Sequence, residues 1–458
     1  MEKILSKEDN WRLGFHLMPP VGWMNDPNGL CWYQEEYHVF FQYCPESANN
    51  GLSRWGHYVS RDLLNWQFLG IGVEADTPWE TDGAYSGCAF VEQDVMHLFY
   101  TGNVKQPGDF DYILRGREAN TIHAVSRDGR SVEGKECVMR NADYGNRYSC
   151  HVRDPKVWKE ADTYYMVQGG RTKEGKGEVL LFSSKDLKRW ERIHILTDPS
   201  LSGYMWECPD LFFLEGSTFL SVSPQGLQQE EFRFQNVYQS GVFSVEGDYR
   251  KESRLKNFRE WDMGFDFYAP QTFEDGSGRR ILLGWMGLPD IPYTNPTVDR
   301  GWQHGLTMAR ELRITKGELT QTPVKEYENL RLQEEAMESG EEKKVTLAEI
   351  LYENPDSEGF QVSIEEELQL SFEKETGIFT MKFTGDLGRG RTVRKTKIKS
   401  CTHVDIWIDT SAVEVYLNHG EQVLTTRYYA ASSVVTVKGS YRKGRMKLWR
   451  LKAMEVSF

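Results

Sequence analysis

Three acidic side chains each open a similar stretch of sequence: Asp26 in NDPNG, Asp154 in RDPKVW and Glu207 in ECPDLF. Cleaving a glycosidic bond needs two carboxyl groups, one to attack the anomeric carbon or activate water and one to protonate the departing oxygen. A third acid, with Arg153 beside it, could hold sugar hydroxyls and fix the charge balance. Each residue also has a plain structural reading. Asp26 before Pro27 and Gly29 is a turn former, Arg153 and Asp154 could pair as ions, and Glu207 could cap a loop. Asp26 and Glu207 lie 181 residues apart, so the chemical reading requires an architecture that returns the chain repeatedly to one place.

Such an architecture is visible as an internal repeat. Five segments share a polar opening, an apolar strand, a short turn and an aromatic-rich strand: NDPNGLCWYQEEYHVFFQYCP from Asn25, GAYSGCAFVEQDVMHLFYTGN from Gly83, RDPKVWKEADTYYMVQGGR from Arg153, CPDLFFLEGSTFLSVSPQG from Cys208 and FYAPQTFEDGSGRRILLGWMG from Phe267. Their starts are 58, 70, 55 and 59 residues apart. Each reads as a β-hairpin, and an S-x-D-L-x-x-W element recurs at Ser60 and Ser184. Five β-units with little helical periodicity predict an all-β fold, a five-bladed β-propeller over residues 1–322; two stacked β-sandwiches are the alternative. In a propeller the first strand of each blade lines a central channel. The openings Asn25-Asp26, Tyr85-Ser86, Arg153-Asp154, Glu207 and Tyr268 would then converge at one end of it.

From Pro323 the texture changes. Residues 323–342 are charged, with Leu330 and Leu332 as the few apolar anchors, and read as a short helical linker. Period-2 alternation returns over 343–458 (FQVSIEEELQLSFEK, THVDIWIDTSAVEVYLNHG, MKLWRLKAM) and predicts a C-terminal β-sandwich.

Composition narrows the function further. A chain of 458 residues implies two domains, and 39% hydrophobic with 27% charged residues fits a globular protein. The formal charge of −13 argues against nucleic acid and anionic membranes as partners, yet a small anionic ligand needs only two or three local basic groups. The charged start MEKILSKEDNWRLGFH lacks a secretory apolar core, and no stretch approaches the roughly 18 apolar residues of a membrane span. A cytoplasmic location is therefore expected, and seven scattered cysteines without metal-ligand spacing indicate reduced, mostly buried thiols.

Taken together, the motifs resemble glycoside hydrolase family 32 over almost the whole chain, and within it the bacterial sucrose-6-phosphate hydrolases and invertases. HLMPPVGWMNDPNG (His16 to Gly29), HVRDPKVW (His151 to Trp158) and WECPDLF (Trp206 to Phe212) resemble its three acidic motifs, in the same order. FFQY, WGHYVS, YSGCAF, DFYAPQTF and GWQHGLTMAREL add to the likeness, as does VDIWIDTSAVEVYLNHGE in the C-terminal part. The resemblance implies a retaining β-fructofuranosidase with Asp26 as nucleophile, Glu207 as acid/base and Asp154 as transition-state stabiliser. Retention in turn implies carboxyls about 5–5.5 Å apart, with Asp26 ionised and Glu207 protonated at rest. It also implies that Trp23, Met24, Asn25, Gln42, Tyr85, Ser86, Arg153 and Trp285 bind the substrate, a small β-fructoside, with no metal or cofactor. Cys208, His57 and His304 lie within these motifs but read better as buried structural groups.

The chain departs from the family between Cys44 and Arg54. Gln42-Tyr43-Cys44-Pro45 replaces Q-x-N-P, Asn50 stands where invertases often carry a Trp, and Ser53 replaces a common Lys, leaving Arg54 as a hypothetical phosphate contact. Ala309 likewise replaces a Pro in the HGLTMAREL motif. These changes bear on the leaving group. Sucrose 6-phosphate or sucrose is the expected substrate, with an exo-acting fructo-oligosaccharide hydrolase, a fructosyltransferase and a non-catalytic sugar-binding propeller as alternatives. Oligomeric state is not legible in the sequence.

Overall fold

The structure, a computed structural model, describes residues 9–458; the charged start read above lies, over residues 1–8, outside the described residues. The fold is nearly all β. Its helical content among the described residues is one four-residue α-helix, Asn141–Tyr144, and three short 3-10 turns, so no helix is long and apolar enough to cross a membrane.

Five sheets, each built on four consecutive antiparallel strands, follow one another along the chain, and the first is widened to six strands by Trp302–Gln303 and Glu455–Ser457, which pair parallel with its two edges. Each of the five repeated segments supplies the first two strands of one sheet. Those first strands are Gly22–Tyr33, Ala84–Glu92, Tyr148–Glu160, Met205–Leu214 and Tyr268–Glu274. They touch in a cycle, each against the next and the fifth against the first. Apolar cores lie between neighbouring sheets rather than within one centre. Phe40 and Trp55 meet Leu98 and Ile122, Phe99 meets Met166 and Leu180, Leu181 meets Leu220, Phe219 meets Leu282, and Phe273 and Leu283 return to Phe41 and Tyr58. Both faces of these sheets are covered, which is why the strands read as continuous apolar runs.

Local chemistry sets the sheet geometry. Two-residue turns at Gln34-Glu35, Gln93-Asp94, Glu215-Gly216 and Lys316-Gly317 take positive φ at both positions, the twist a tight hairpin needs. In the two S-x-D-L-x-x-W elements the Ser hydroxyl accepts backbone N–H groups of the following turn, and the Trp indole donates to the Leu carbonyl, 2.9 Å at Trp66 and 3.1 Å at Trp190.

All five first strands bulge at one level: two of their residues face one on the second strand. The paired residues are Asn25-Asp26, Tyr85-Ser86, Asp154-Pro155, Cys208-Pro209 and Ala269-Pro270, and Asp154, Cys208 and Ala269 take φ of 63°, 47° and 48°. Such bulges re-aim side chains and are frequent beside active sites.

Two further six-stranded sheets form the C-terminal part and enclose one apolar core that includes Ile350, Ile406 and Val415 from one sheet and Val362, Leu370 and Met381 from the other. The stretch 323–342 differs from its expected helical form. It holds a 3-10 turn only over Lys325–Leu330, after which Arg331–Ala336 is an edge strand paired with Arg445–Leu451. Charge suits an exposed edge strand as well as a helix, and the sequence pattern did not separate the two.

Buried ions join the two parts. Arg310 of the fifth sheet bonds Asp262 at 3.0 Å and Glu414 at 2.7 Å, His16 lies between Asp409 and Glu414, and Arg391 holds Asp266. The terminal strand Glu455–Ser457 returns to pair with Asn65–Val73 of the first sheet.

Candidate active site

A cavity of about 220 Å³ opens where the five first strands begin, lined by Asp26, Asp154 and Glu207 together with residues of all five sheets. Of the other residues expected to bind substrate, Trp23, Asn25, Gln42, Tyr85, Ser86, Arg153 and Trp285 line it. Met24 does not. It is fully buried in the core between the fifth and first sheets, because strand alternation turns it away from its neighbours Trp23 and Asn25.

Asp26 sits at the centre of a relay of donors. The Trp23 indole donates to Asn25 Oδ1 at 2.7 Å, which leaves the Asn25 amide to donate to Asp26 Oδ1 at 3.1 Å. Gln42 donates to Ser86 Oγ at 2.6 Å, and Ser86 donates to Asp26 Oδ2 at 2.5 Å. Burial pushes the Asp26 carboxyl above its ordinary range, while Ser86, Asn25 and the Arg153 charge work against that rise.

Asp154 accepts the Cys208 N–H at 2.9 Å, and its own N–H donates to Thr101 Oγ1 at 2.9 Å. Burial raises this carboxyl too, with Arg153 the principal opposing charge. Arg153 Nε lies 3.7 Å from Asp154 Oδ2, and its guanidinium contacts Glu207 Oε1. Glu207 Oε2 accepts from Tyr268 Oη at 2.8 Å and from Gln225 Nε2 at 2.9 Å. The Cys208 thiol, pushed far up by burial and by the charges of Asp154 and Asp26, stays protonated. It faces Asp26 and Asp154 Oδ2 at 3.7 and 3.6 Å, as a weak donor toward the two aspartates rather than toward Glu207.

His304 packs edge-on against Trp23 and Trp285, with ring centroids at 4.5 and 5.0 Å, and so braces the aromatic wall. His57 stacks on Phe40 and bonds His38 at 3.0 Å, within the core. Asn50 and Ser53 line the cavity, whereas the Arg54 guanidinium is engaged by Glu46 and lies 3.8 Å from Glu74. Sequence reasoning passed over Gln225 and Thr101, which stand on second strands, whereas attention went to the polar openings of the first strands. It noted Tyr268 only as a blade opening.

Residues 16–323 match the family model described as Glycosyl hydrolases family 32 N-terminal domain, and residues 328–455 match that for the Glycosyl hydrolases family 32 C terminal. A sucrose-6-phosphate hydrolase of Bacillus subtilis is 41% identical over 442 residues, covering 93% of this chain and 90% of its own. A raffinose invertase of Escherichia coli is 36% identical over 450 residues, covering 94% and 92%. The solved structure of a GH32 beta-fructofuranosidase from Bombyx mori superposes with a TM-score of 0.86 at 31% identity, covering 100% of this chain and 97% of that one.

Proposed function

The chain belongs to glycoside hydrolase family 32, and from that premise we propose that it is a retaining β-fructofuranosidase acting on sucrose 6-phosphate or sucrose. The observation that carries this reading is the meeting of Asp26, Asp154 and Glu207, from three different first strands, around one cavity with Arg153 between the latter two acids. The five sheets with their cyclic first-strand contacts support a five-bladed propeller, and the two six-stranded sheets support a C-terminal β-sandwich. A division near residue 322 supports that reading, while the C-terminal unit starts earlier than the 343 read from the sequence, because Arg331–Ala336 is already a strand of its sheet.

Asp26 Oδ attacks the anomeric C2 of the fructosyl ring, and the C2–O bond to the leaving sugar breaks as Glu207 protonates its oxygen. Water, deprotonated by Glu207, then attacks C2 and releases Asp26. Ser86 and Asn25 hold Asp26 as the anion against burial, and they do so before substrate arrives, which is electrostatic preorganisation. Asp154 and Arg153 take ring hydroxyls, and Tyr268 and Gln225 orient Glu207. At about 220 Å³ the cavity is smaller than typical ligand pockets of about 300–1,000 Å³ and suits one sugar ring. That favours a small β-fructoside over internal cleavage of a polymer.

The similarity to a sucrose-6-phosphate hydrolase favours the phosphorylated disaccharide; that to a raffinose invertase keeps unphosphorylated fructosides as the second reading. Cytoplasmic residence is part of the proposal, supported by seven cysteines that all carry free thiols. The test is kcat/KM for sucrose 6-phosphate, sucrose and a short inulin oligomer. Cleavage of the two disaccharides well above the oligomer is expected; a clear preference for the oligomer would contradict the proposal.

A further inference from the structure

Near Arg153, beside the cavity but not among the residues that line it, two guanidinium groups stand without carboxylate partners in a chain of formal charge −13. Arg117 opens the third strand of the second sheet, and Arg171 nearly ends the second strand of the third sheet. Antiparallel order brings both to the sheet end where Arg153 and Asp154 stand. Neither forms an ion pair among the described residues, although 37 such contacts occur elsewhere. Both Nε atoms are buried without an acceptor.

Each group is nevertheless held in place. Arg117 Nη1 donates to His151 Nε2 at 2.9 Å, and Arg171 lies over the Tyr204 ring at 4.6 Å. Residues 149–151 form a second bulge on the first strand of the third sheet, opposite Arg171, so His151 comes within reach of both charges. Burial, then the charges of Arg153, Arg117 and Arg171, bring His151 down to about 3. It is therefore a neutral acceptor for Arg117 at working pH. The nearby carboxylate Asp82 influences Arg117 only weakly and at a distance. The contact first considered for an anion, Arg54, is already neutralised by Glu46 and Glu74.

We propose that Arg117 and Arg171, with His151 against them, form the subsite that binds the phosphate monoester of a phosphorylated leaving sugar. Two fixed guanidinium charges without carboxylate partners match a phosphate dianion, which accepts charge-assisted N–H bonds. Both groups lie at strand ends close to Arg153, which itself lines the cavity, so a leaving sugar that extends past Arg153 from a fructosyl ring held in the cavity would carry its phosphate toward them. This inference rests on the β-fructofuranosidase reading and adds the origin of its preference for phosphate.

The experiment measures kcat/KM for sucrose 6-phosphate and for sucrose with wild type, Arg117→Gln, Arg171→Gln, the double variant and Arg54→Gln. The ratio of the two values should fall about 10- to 100-fold per guanidinium removed. The loss should appear mainly as a higher KM for the phosphorylated substrate. Arg54→Gln should leave the ratio within about twofold. Glucose 6-phosphate should inhibit sucrose cleavage by wild type and do so far more weakly with the double variant. Arg117→Lys and Arg171→Lys, which keep charge but lose the fork, give an intermediate ratio should the Gln variants fail to fold. A wild-type preference for phosphate that survives in the double variant, or that is lost in Arg54→Gln instead, overturns the subsite but not the proposed function. Equal rates on both disaccharides in wild type would overturn the preference itself, and the subsite with it.

Discussion

Replacing Ser86 by Ala removes the shortest hydrogen bond to Asp26, at 2.5 Å, and leaves the Gln42 amide without its acceptor. A hydrogen bond to a charged group contributes about 1.5–3 kcal/mol, and each pKa unit corresponds to about 1.4 kcal/mol. Loss of a donor that favours the anion should therefore raise the Asp26 carboxyl by about 1–2 units. Burial already holds that carboxyl above its ordinary value of 3.8. Because the reaction needs the anion, activity falls as pH drops through the Asp26 pKa, and the substitution moves that fall to higher pH. The acid limb of kcat/KM, which reports the free enzyme, should shift upward by about 1–2 pH units in Ser86→Ala. Gln42→Ala, which only weakens the polarisation of Ser86, should move it in the same direction by less. An acid limb that stays put in Ser86→Ala, or moves down, would refute the role of Ser86 in holding Asp26 ionised.

Further outcomes follow from the same contacts. Tyr268→Phe removes one of the two neutral donors to Glu207 and should cost about 10-fold in kcat with little change in KM; a pure KM effect would argue against it. Arg310→Met strands Asp262 and Glu414, both fully buried, and should lower stability by about 3–5 kcal/mol in urea unfolding, while the KM of the surviving folded enzyme is unchanged. Less than about 1 kcal/mol would mean these ions are not coupled. His16 is pulled down by burial, but bonds to Asp409 and Glu414 raise it above 6.5, while Glu414 itself is lowered to about 2. The His16 contribution is thus present below pH 6.5 and lost as pH rises through its raised value; that of Glu414 is present above 4.5 and lost as pH falls toward about 2. Unfolding at a series of pH values should place maximum stability between about 4.5 and 6.5, and His16→Asn should remove the decline on the alkaline side.

The residues of the site were largely legible because the chain repeats itself. Asp26, Ser86, Asp154 and Glu207 open equivalent segments, so a radial reading of the repeat gathers them without any local signal linking them. What the pattern could not convey is the bulge in each first strand. Strict alternation would put Asn25 and Asp26 on opposite faces, yet both line the cavity, and the positive φ at Asp154, Cys208 and Ala269 is invisible in residue types that seldom adopt it. Met24 shows the complementary effect: it sits within the motif but on the other face of the strand, away from the cavity. Residues 331–336 read as helix because an exposed edge strand and a helix surface carry the same charged residues. Gln225, Thr101 and the Arg117–Arg171 pair depend on cross-sheet proximity that no single segment encodes.

The central claim is that Asp26 becomes covalently bonded to fructose and Glu207 supplies the proton. Glu207→Gln treated with a fructosyl donor bearing a leaving group that needs no protonation should accumulate a fructosyl-enzyme. Peptide mapping by mass spectrometry should then find one added fructosyl unit on the peptide containing Asp26, and none in Asp26→Asn/Glu207→Gln. An adduct on Asp154 or any other residue, or one that persists in the double variant, would contradict the account.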